Sequence, residues 1–381
     1  MNSIYLDNGA TSYPKAPGVA ESVSNYITNV GTNVGRGAYD LSYSAENVVF
    51  ETRELVCKIF NFDKPENVVF TKNVTESLNV LIKGILEPGD HVIVSSMEHN
   101  AVMRPLSSLL DKVELTRVQC DEFGQLDAEL LKDYIRPNTK AVIMTHASNV
   151  CGTIFDLERV GEICKEQGIF LIVDCAQTAG FLDIDFYKMN ADAIGFTGHK
   201  SLLGPQGTGG FIIGDRMLKE MSTLIEGGTG SLSYEEIQPD YMPDKFEAGT
   251  LNIPGIYGLN TSLKYILDYG IENIRRKELQ LLDYFLNSLN DIAQIRIIGL
   301  RGIEGRTAVV SVDFKEKDNG IIAHELSKKY GIMTRSGLHC APSAHKTLGT
   351  FPEGTVRFSL SHFTTLEELD YTVKSIRELV G

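Results

Sequence analysis

The stretch that decides the fold is residues 169–213, IFLIVDCAQTAGFLDIDFYKMNADAIGFTGHKSLLGPQGTGGFII. It holds three short apolar runs, at 169–174, 192–197 and 209–213, each stopped by a polar or glycine-rich turn. None alternates apolar with polar residues, so each predicts a strand covered on both faces. Working outward, 67–71, 91–95 and 141–145 have the same character. Between them, 75–86 opens with Thr75, and 156–168 runs from Asp156 to Gly168. These are cap residues at the ends of helical patterns. Strands alternating with helices predict a mostly parallel α/β sheet, whose ligands sit beyond the C-terminal strand ends. A further helix is expected over 15–28.

After about residue 255 the pattern changes. A long helical stretch, 256–289, leads to strands at 294–299, 307–313 and 355–360, with helices at 319–330 and 365–380. This predicts a smaller α+β unit. With 381 residues, the chain exceeds the roughly 250–300 at which one core stops growing, so a large domain and a small one are expected.

Composition narrows the function classes. A net charge of −14 disfavours a nucleic-acid surface, which needs clustered Lys and Arg. No apolar run reaches the ~18–20 residues that span a bilayer, and MNSIYLDNGATSYP has neither the basic nor the apolar region of a signal peptide. The six Cys form no C-x-x-C pair, so neither a zinc site nor a redox pair is indicated. A reduced, cytoplasmic protein without nucleic-acid or membrane partners is expected.

The notable polar residues follow strands: His99, Asn149, Asp174 and Lys200. Singly, each has an ordinary reading as a solvated lysine, a capping aspartate or a loop residue. Four at one sheet edge predict a crevice. Lys200 lies between Gly198-His199 and SLLGPQGTGG, with few other charges. Such surroundings suit an amine nucleophile that forms a Schiff base. GHKS is not a P-loop, which needs Gly directly before Lys, and GTGG is not a dinucleotide fingerprint. A Schiff-base lysine suggests pyridoxal phosphate (PLP). That group asks for a carboxylate at its ring nitrogen, for which Asp174 is placed, and a phosphate cradle, which TKNVTES at 71–77 supplies. His99 suits stacking on the ring and proton movement. Cys340, in RSGLHCAP beside His339 and near Arg335, suits a reactive thiolate. The other five Cys read as packing residues. Arg357, between apolar residues in GTVRFSLSHF, needs an internal ion pair or a bidentate carboxylate ligand.

Together, YLDNGATS (5–12), EHN (98–100), SNVCGT (148–153), VDCAQ (173–177), TGHKSLLGPQGTG (197–209), FEAGT (246–250), RSGLHCAP (335–342) and VRFSLSHFTTLEELD (356–370) resemble a known family. The chain is similar to the class V aminotransferases of PLP-dependent transferase fold type I. Within them it most resembles the group II cysteine desulfurases and selenocysteine lyases. The resemblance implies a mostly parallel seven-stranded sheet in a large PLP-binding domain at 15–255. Residues 1–14 and 256–381 would form a small domain carrying the cysteine loop.

It implies Lys200 as the internal aldimine lysine, Asp174 at the pyridine nitrogen, Gln177 near the ring hydroxyl, His99 on the ring and Asn149 beside its substituents. The phosphate would be held by Asn73, Val74 and Thr75, by Thr197 and His199, and by Thr250 of a second subunit in a homodimer. Arg357, with Asn149, Arg335 and Asn8, would bind the substrate. Cys340 would take sulfur from L-cysteine as a persulfide, releasing L-alanine, and pass it to an acceptor protein. A cysteine on a loop of a separate domain can approach and withdraw. Leu338, Tyr39 and Val74 depart from the family pattern, where His, His and a second Thr stand. Selenocysteine lyase, C–S lyase and aminotransferase remain alternatives.

Overall fold

The computed structural model describes residues 3–35 and 37–381. Chain order gives thirteen strands: β1 (Ile4–Tyr5), β2 (Val68–Thr71), β3 (His91–Ser95), β4 (Glu114–Val118), β5 (Thr139–Thr145), β6 (Phe170–Asp174), β7 (Ala193–Thr197), β8 (Gly209–Ile213), β9 (Ile295–Ile298), β10 (Val309–Phe314), β11 (Ile332–Met333), β12 (Arg335–Gly337) and β13 (Thr355–Ser359). The large sheet has seven strands in the order β2-β8-β7-β6-β5-β3-β4. β8 pairs antiparallel with both neighbours, and every other pairing is parallel. β3, β6, β7 and β8 are buried along their whole length, as non-alternating apolar runs require.

Six of these strands coincide with the expected runs. The seventh, β4, was implied only by the family resemblance, because its sequence ELTRV is largely polar and mostly unburied. An edge strand needs no continuous apolar run. The helix expected to open at Thr75 is Val74–Ile85, with Asn73 as its cap, accepting from Glu76 N at 3.0 Å. The helix expected over 15–28 begins at Val19, after a left-handed Gly18, and continues as a π-turn to Val30. The stretch 256–289 is two helices, Ile253–Tyr269 and Ile271–Asn290, parted by Gly270 at φ +90. A 20-residue helix, Asp40–Ile59, was not anticipated. Its buried Ala45, Val49, Val56 and Ile59 share a core with Leu259 and Leu263 of the helix Ile253–Tyr269.

The second sheet, β12-β13-β10-β9, is antiparallel and smaller. The chain start returns to it: β1 pairs with β11, and Leu6 N donates to Met333 O at 2.9 Å. Among the described residues, no helix is long and apolar enough to cross a membrane.

The segment before Thr250 is tied to β2 by a buried ion pair. Arg53 meets Glu247 through two hydrogen bonds of 2.9 and 2.7 Å, and Phe70 N donates to Glu247 Oε1 at 2.7 Å. Both charged side chains are under 8% exposed. Removing one partner strands the other charge in the interior. Glu247→Ala is therefore expected to lower unfolding stability by about 3–5 kcal/mol. Denaturant titration checks this, and a loss comparable to an exposed-pair mutation would refute it.

Candidate active site

The C-terminal ends of β3, β5, β6 and β7 bring Glu98-His99, Asn149, Asp174 and Thr197–Lys200 to one side of the sheet. All of these but Glu98 and Gly198 line a cavity of about 270 Å³, which Asn73, Val74, Thr75, Gln177, Arg335, His339 and Arg357 also line. Thirteen of the fifteen residues nominated from the sequence are thus gathered in or at the edge of one cavity, Cys340 through its hydrogen bonds described below. Asn8 does not line it. Its amide is spent on Ser359 O and Tyr13 N, and its neighbours Gly9 and Ala10 face the cavity instead. Thr250 is exposed and lines a separate hollow with Thr71, Lys72 and Glu76. Of the departures from the family pattern, Val74 lines the cavity, while Tyr39 is exposed at the start of the helix Asp40–Ile59.

Lys200 is presented by a tight turn. At Gly198 a Cβ would come within 2.2 Å of Thr208 Oγ1, so only glycine fits. The carbonyl of His199 accepts from Ser12 N, Thr11 Oγ1 and Lys15 Nζ at 2.8, 3.1 and 3.0 Å, which fixes the backbone just before Lys200. Lys15 has no carboxylate there, and burial brings its ammonium down to about 8. Burial likewise lowers Lys200 to about 8, with Asp174 opposing the shift and Arg357 and Arg335 adding to it. Burial raises the Asp174 carboxyl, while Ala176 N and Lys200 pull it back.

His99 caps the helix Asn100–Ser107. Its Nδ1 accepts from Ala101 N at 3.0 Å, which leaves the proton of the neutral ring on Nε2. Burial, then Lys200 and three arginines, hold it down to about 3, so it stays neutral. The preceding Glu98 is fully buried, accepts from Ser95 Oγ at 2.6 Å and Thr145 N at 2.9 Å, and is pushed up to about 8 by burial.

Arg357 is 1% exposed. Its Nη1 donates to Asn149 O at 3.0 Å and its Nη2 to Asp7 Oδ1 at 2.9 Å. Asn149 Nδ2 donates to His339 O at 2.7 Å, and Asn100 N donates to Cys340 O at 2.8 Å. The backbone of the cysteine loop is thus hydrogen-bonded to the cavity wall at two points. Cys340 is the exposed member of the six cysteines, with Arg335 Nη2 at 3.6 Å from Sγ. Burial pushes Cys57, Cys120 and Cys164 up to about 12.

His339, adjacent in sequence, is not a base for this thiol. Consecutive left-handed residues, His339 at φ +47 and Cys340 at φ +57, turn the imidazole inward. There its Nε2 meets Thr355 Oγ1 at 3.1 Å, and burial lowers it to about 2. Sequence reasoning missed Asp7, Lys15 and Glu98. Glu98 stood in the EHN motif and was legible as a charge beside a buried strand end. Asp7 and Lys15 act across more than 180 residues and carry no local signal.

The cavity fits an anionic aromatic cofactor. Thr197 Oγ1 and His199 Nδ1 are buried without partners, beside the N-terminus of the helix Val74–Ile85. Unsatisfied donors at a helix start suit a phosphate.

The sequence model of the aminotransferase class-V family matches residues 4–372, and the chain belongs to that family, whose members are PLP-dependent. It is 34% identical to a probable cysteine desulfurase of Methanothermobacter thermautotrophicus, over 99% of this chain and 95% of that protein. It is 32% identical to the cysteine desulfurase of Haloferax volcanii, over 98% and 88%. Among solved structures, it is similar to the apo cysteine desulfurase of Thermococcus onnurineus, with a TM-score of 0.92 and 32% identity over 99% and 94% of the two chains. The Escherichia coli cysteine desulfurase CsdA follows at 0.87 and 27%, with the same coverage.

Replacing Asp174 by Asn removes the anion that favours the Lys200 ammonium, so Lys200 should lose its proton at a still lower pH. The check is the pH dependence of reductive methylation at Lys200, read by peptide mass spectrometry. A midpoint unchanged or raised in Asp174→Asn would refute the coupling.

Proposed function

We propose that this chain is a PLP-dependent cysteine desulfurase that converts L-cysteine to L-alanine and a persulfide on Cys340. The observation that carries the reading is the cysteine loop. The one exposed thiol is pinned by backbone hydrogen bonds to Asn149 and to the helix that His99 caps, at the rim of the cavity holding Lys200 and Arg357.

Lys200 is the covalent anchor for the cofactor. Asp174 would pair with its ring nitrogen, Gln177 with its ring hydroxyl, and His99 would pack on its ring. The backbone of Asn73–Thr75, with the unpartnered Thr197 Oγ1 and His199 Nδ1, would hold the phosphate. Thr250 completes that cradle from the second subunit of a homodimer, which agrees with its exposure outside its own cavity. Arg357 takes the substrate carboxylate beside Asn149, and Arg335 orients the sulfur end. Bound there, PLP supplies an electron sink for the bonds at the α-carbon.

Lys200 Nζ is the proton carrier at the α-carbon, and an amine that titrates near 8 both accepts and returns a proton near neutrality. Cys340 Sγ, as thiolate, attacks the substrate sulfur. The S–S bond forms, the Cβ–S bond breaks, and its electron pair stays on carbon. The hydrogen lost by the substrate thiol balances the one gained at Cβ, so no external oxidant is needed. The persulfide then passes to a sulfur-acceptor protein in a reducing cytoplasm.

Purified protein given L-cysteine and a reductant should yield alanine and sulfide in equal amounts. Cys340→Ala should keep its yellow colour and lose sulfur transfer by at least about a hundredfold. Pyruvate matching sulfide, with Cys340→Ala undiminished, would instead make the chain a C–S lyase. Lys200→Ala should lose cofactor fixation by borohydride, and fixation at a single lysine in that variant would relocate the anchor.

A further inference from the structure

The buried guanidinium of Arg357 already holds a carboxylate, that of Asp7. Nη2 is the nitrogen shared by both two-pronged donor edges of a guanidinium, and Asp7 Oδ1 sits on it at 2.9 Å. Nη1 is committed to Asn149 O at 3.0 Å, and Nε is buried without a partner. Gly9 closes one face, since a Cβ there would lie 3.2 Å from the guanidinium carbon. A second carboxylate that needs either edge therefore meets Asp7 first, and two anions on one cation repel.

The two partners differ in freedom. The Arg357 side chain is 1% exposed and the Asp7 side chain 21%. Asp7 can turn to water, whereas Arg357 cannot follow it. Its backbone stays in place through the bridge to Ser359 and the hydrogen bond from Ala10 N to Asp7 O at 3.0 Å.

We propose that Asp7 is a placeholder carboxylate: it occupies Arg357 in the substrate-free protein and is exchanged for the α-carboxylate of the incoming amino acid. The proposal rests on the reading of Arg357 as the carboxylate seat. It assigns Asp7 two effects. The buried cation is never left unpaired between turnovers. A ligand without a carboxylate gains nothing from the exchange, so Asp7 sets the affinity scale for carboxylate-bearing ligands alone.

The test titrates PLP-loaded protein with L-alanine and with L-alaninamide, which lacks the carboxylate, following the visible absorbance. In Asp7→Asn the competitor loses its charge, so L-alanine should bind about tenfold more tightly, while L-alaninamide binds as before. Unchanged alanine binding would overturn the proposal. Weaker alanine binding would also overturn it, by showing that Asp7 positions Arg357 and does not compete with the ligand. A parallel shift for both ligands would equally sink it as a general disturbance of the site. Arg357→Lys separates the underlying reading: if it fails to weaken alanine relative to alaninamide, Arg357 is not the carboxylate seat, whatever Asp7 does.

Discussion

A guanidinium with almost no solvent must find its acceptors in the chain, and Arg357 finds them in two distant places. Asp7 comes from the segment just after the first strand, the carbonyl of Asn149 from the loop after β5, and Arg357 itself stands on β13. Satisfying one buried cation thus requires the N-terminus, the large sheet and the C-terminal sheet to meet at one point. The same junction is stitched by Ser311 Oγ to Val150 O at 2.6 Å and by Arg306 Nη2 to Cys151 O at 3.1 Å. The cavity wall is where these demands coincide. An unpaired polar group there costs far more than a paired one gains, so the wall is fixed before any ligand arrives.

Charge within that wall is lopsided. Burial depresses the ionisation of His99, His199 and His339, and Lys200, Arg335 and Arg357 add to it at His99. The imidazoles are left as neutral rings and the cations as the charged groups. Such a site favours anions, and it divides labour. Flat neutral rings pack and donate, while burial brings the Lys200 amine down to about 8. His99 spends its acceptor nitrogen on capping its own helix, so its orientation is set by secondary structure, not by a ligand.

Much of this was legible in the sequence where burial on both faces produces an unbroken apolar run. β3, β5, β6, β7 and β8 declared themselves, and the polar residues after them marked the cavity. β4 did not, because an edge strand keeps one side in water. The helix Asp40–Ile59 was hidden because its buried face includes Ser42, Thr52 and Arg53, the last neutralised by Glu247 far along the chain. Thr75 looked like a cap because only the structure shows Asn73 accepting from Glu76 N. Asp7 was unreadable for a simpler reason: its partner lies 350 residues away.

The cysteine loop shows how local backbone geometry overrides sequence adjacency. His339 and Cys340 are neighbours, yet one is buried and the other exposed. Two successive left-handed non-glycine residues carry strain of order 1–3 kcal/mol each. They persist because both carbonyls are held, by Asn149 and by Asn100 N, and because the His339 ring is locked against Thr355. The result is a thiol on a turn whose two carbonyls are both held. Sulfur to be transferred must then be carried to Cys340 by the orientation of the bound amino acid. On the proposed reading, a carboxylate at Arg357 and an amine toward Lys200 would leave the third substituent of the α-carbon to find the thiol. Placing all three contacts in one wall would reduce the entropy lost in reaching the reacting geometry.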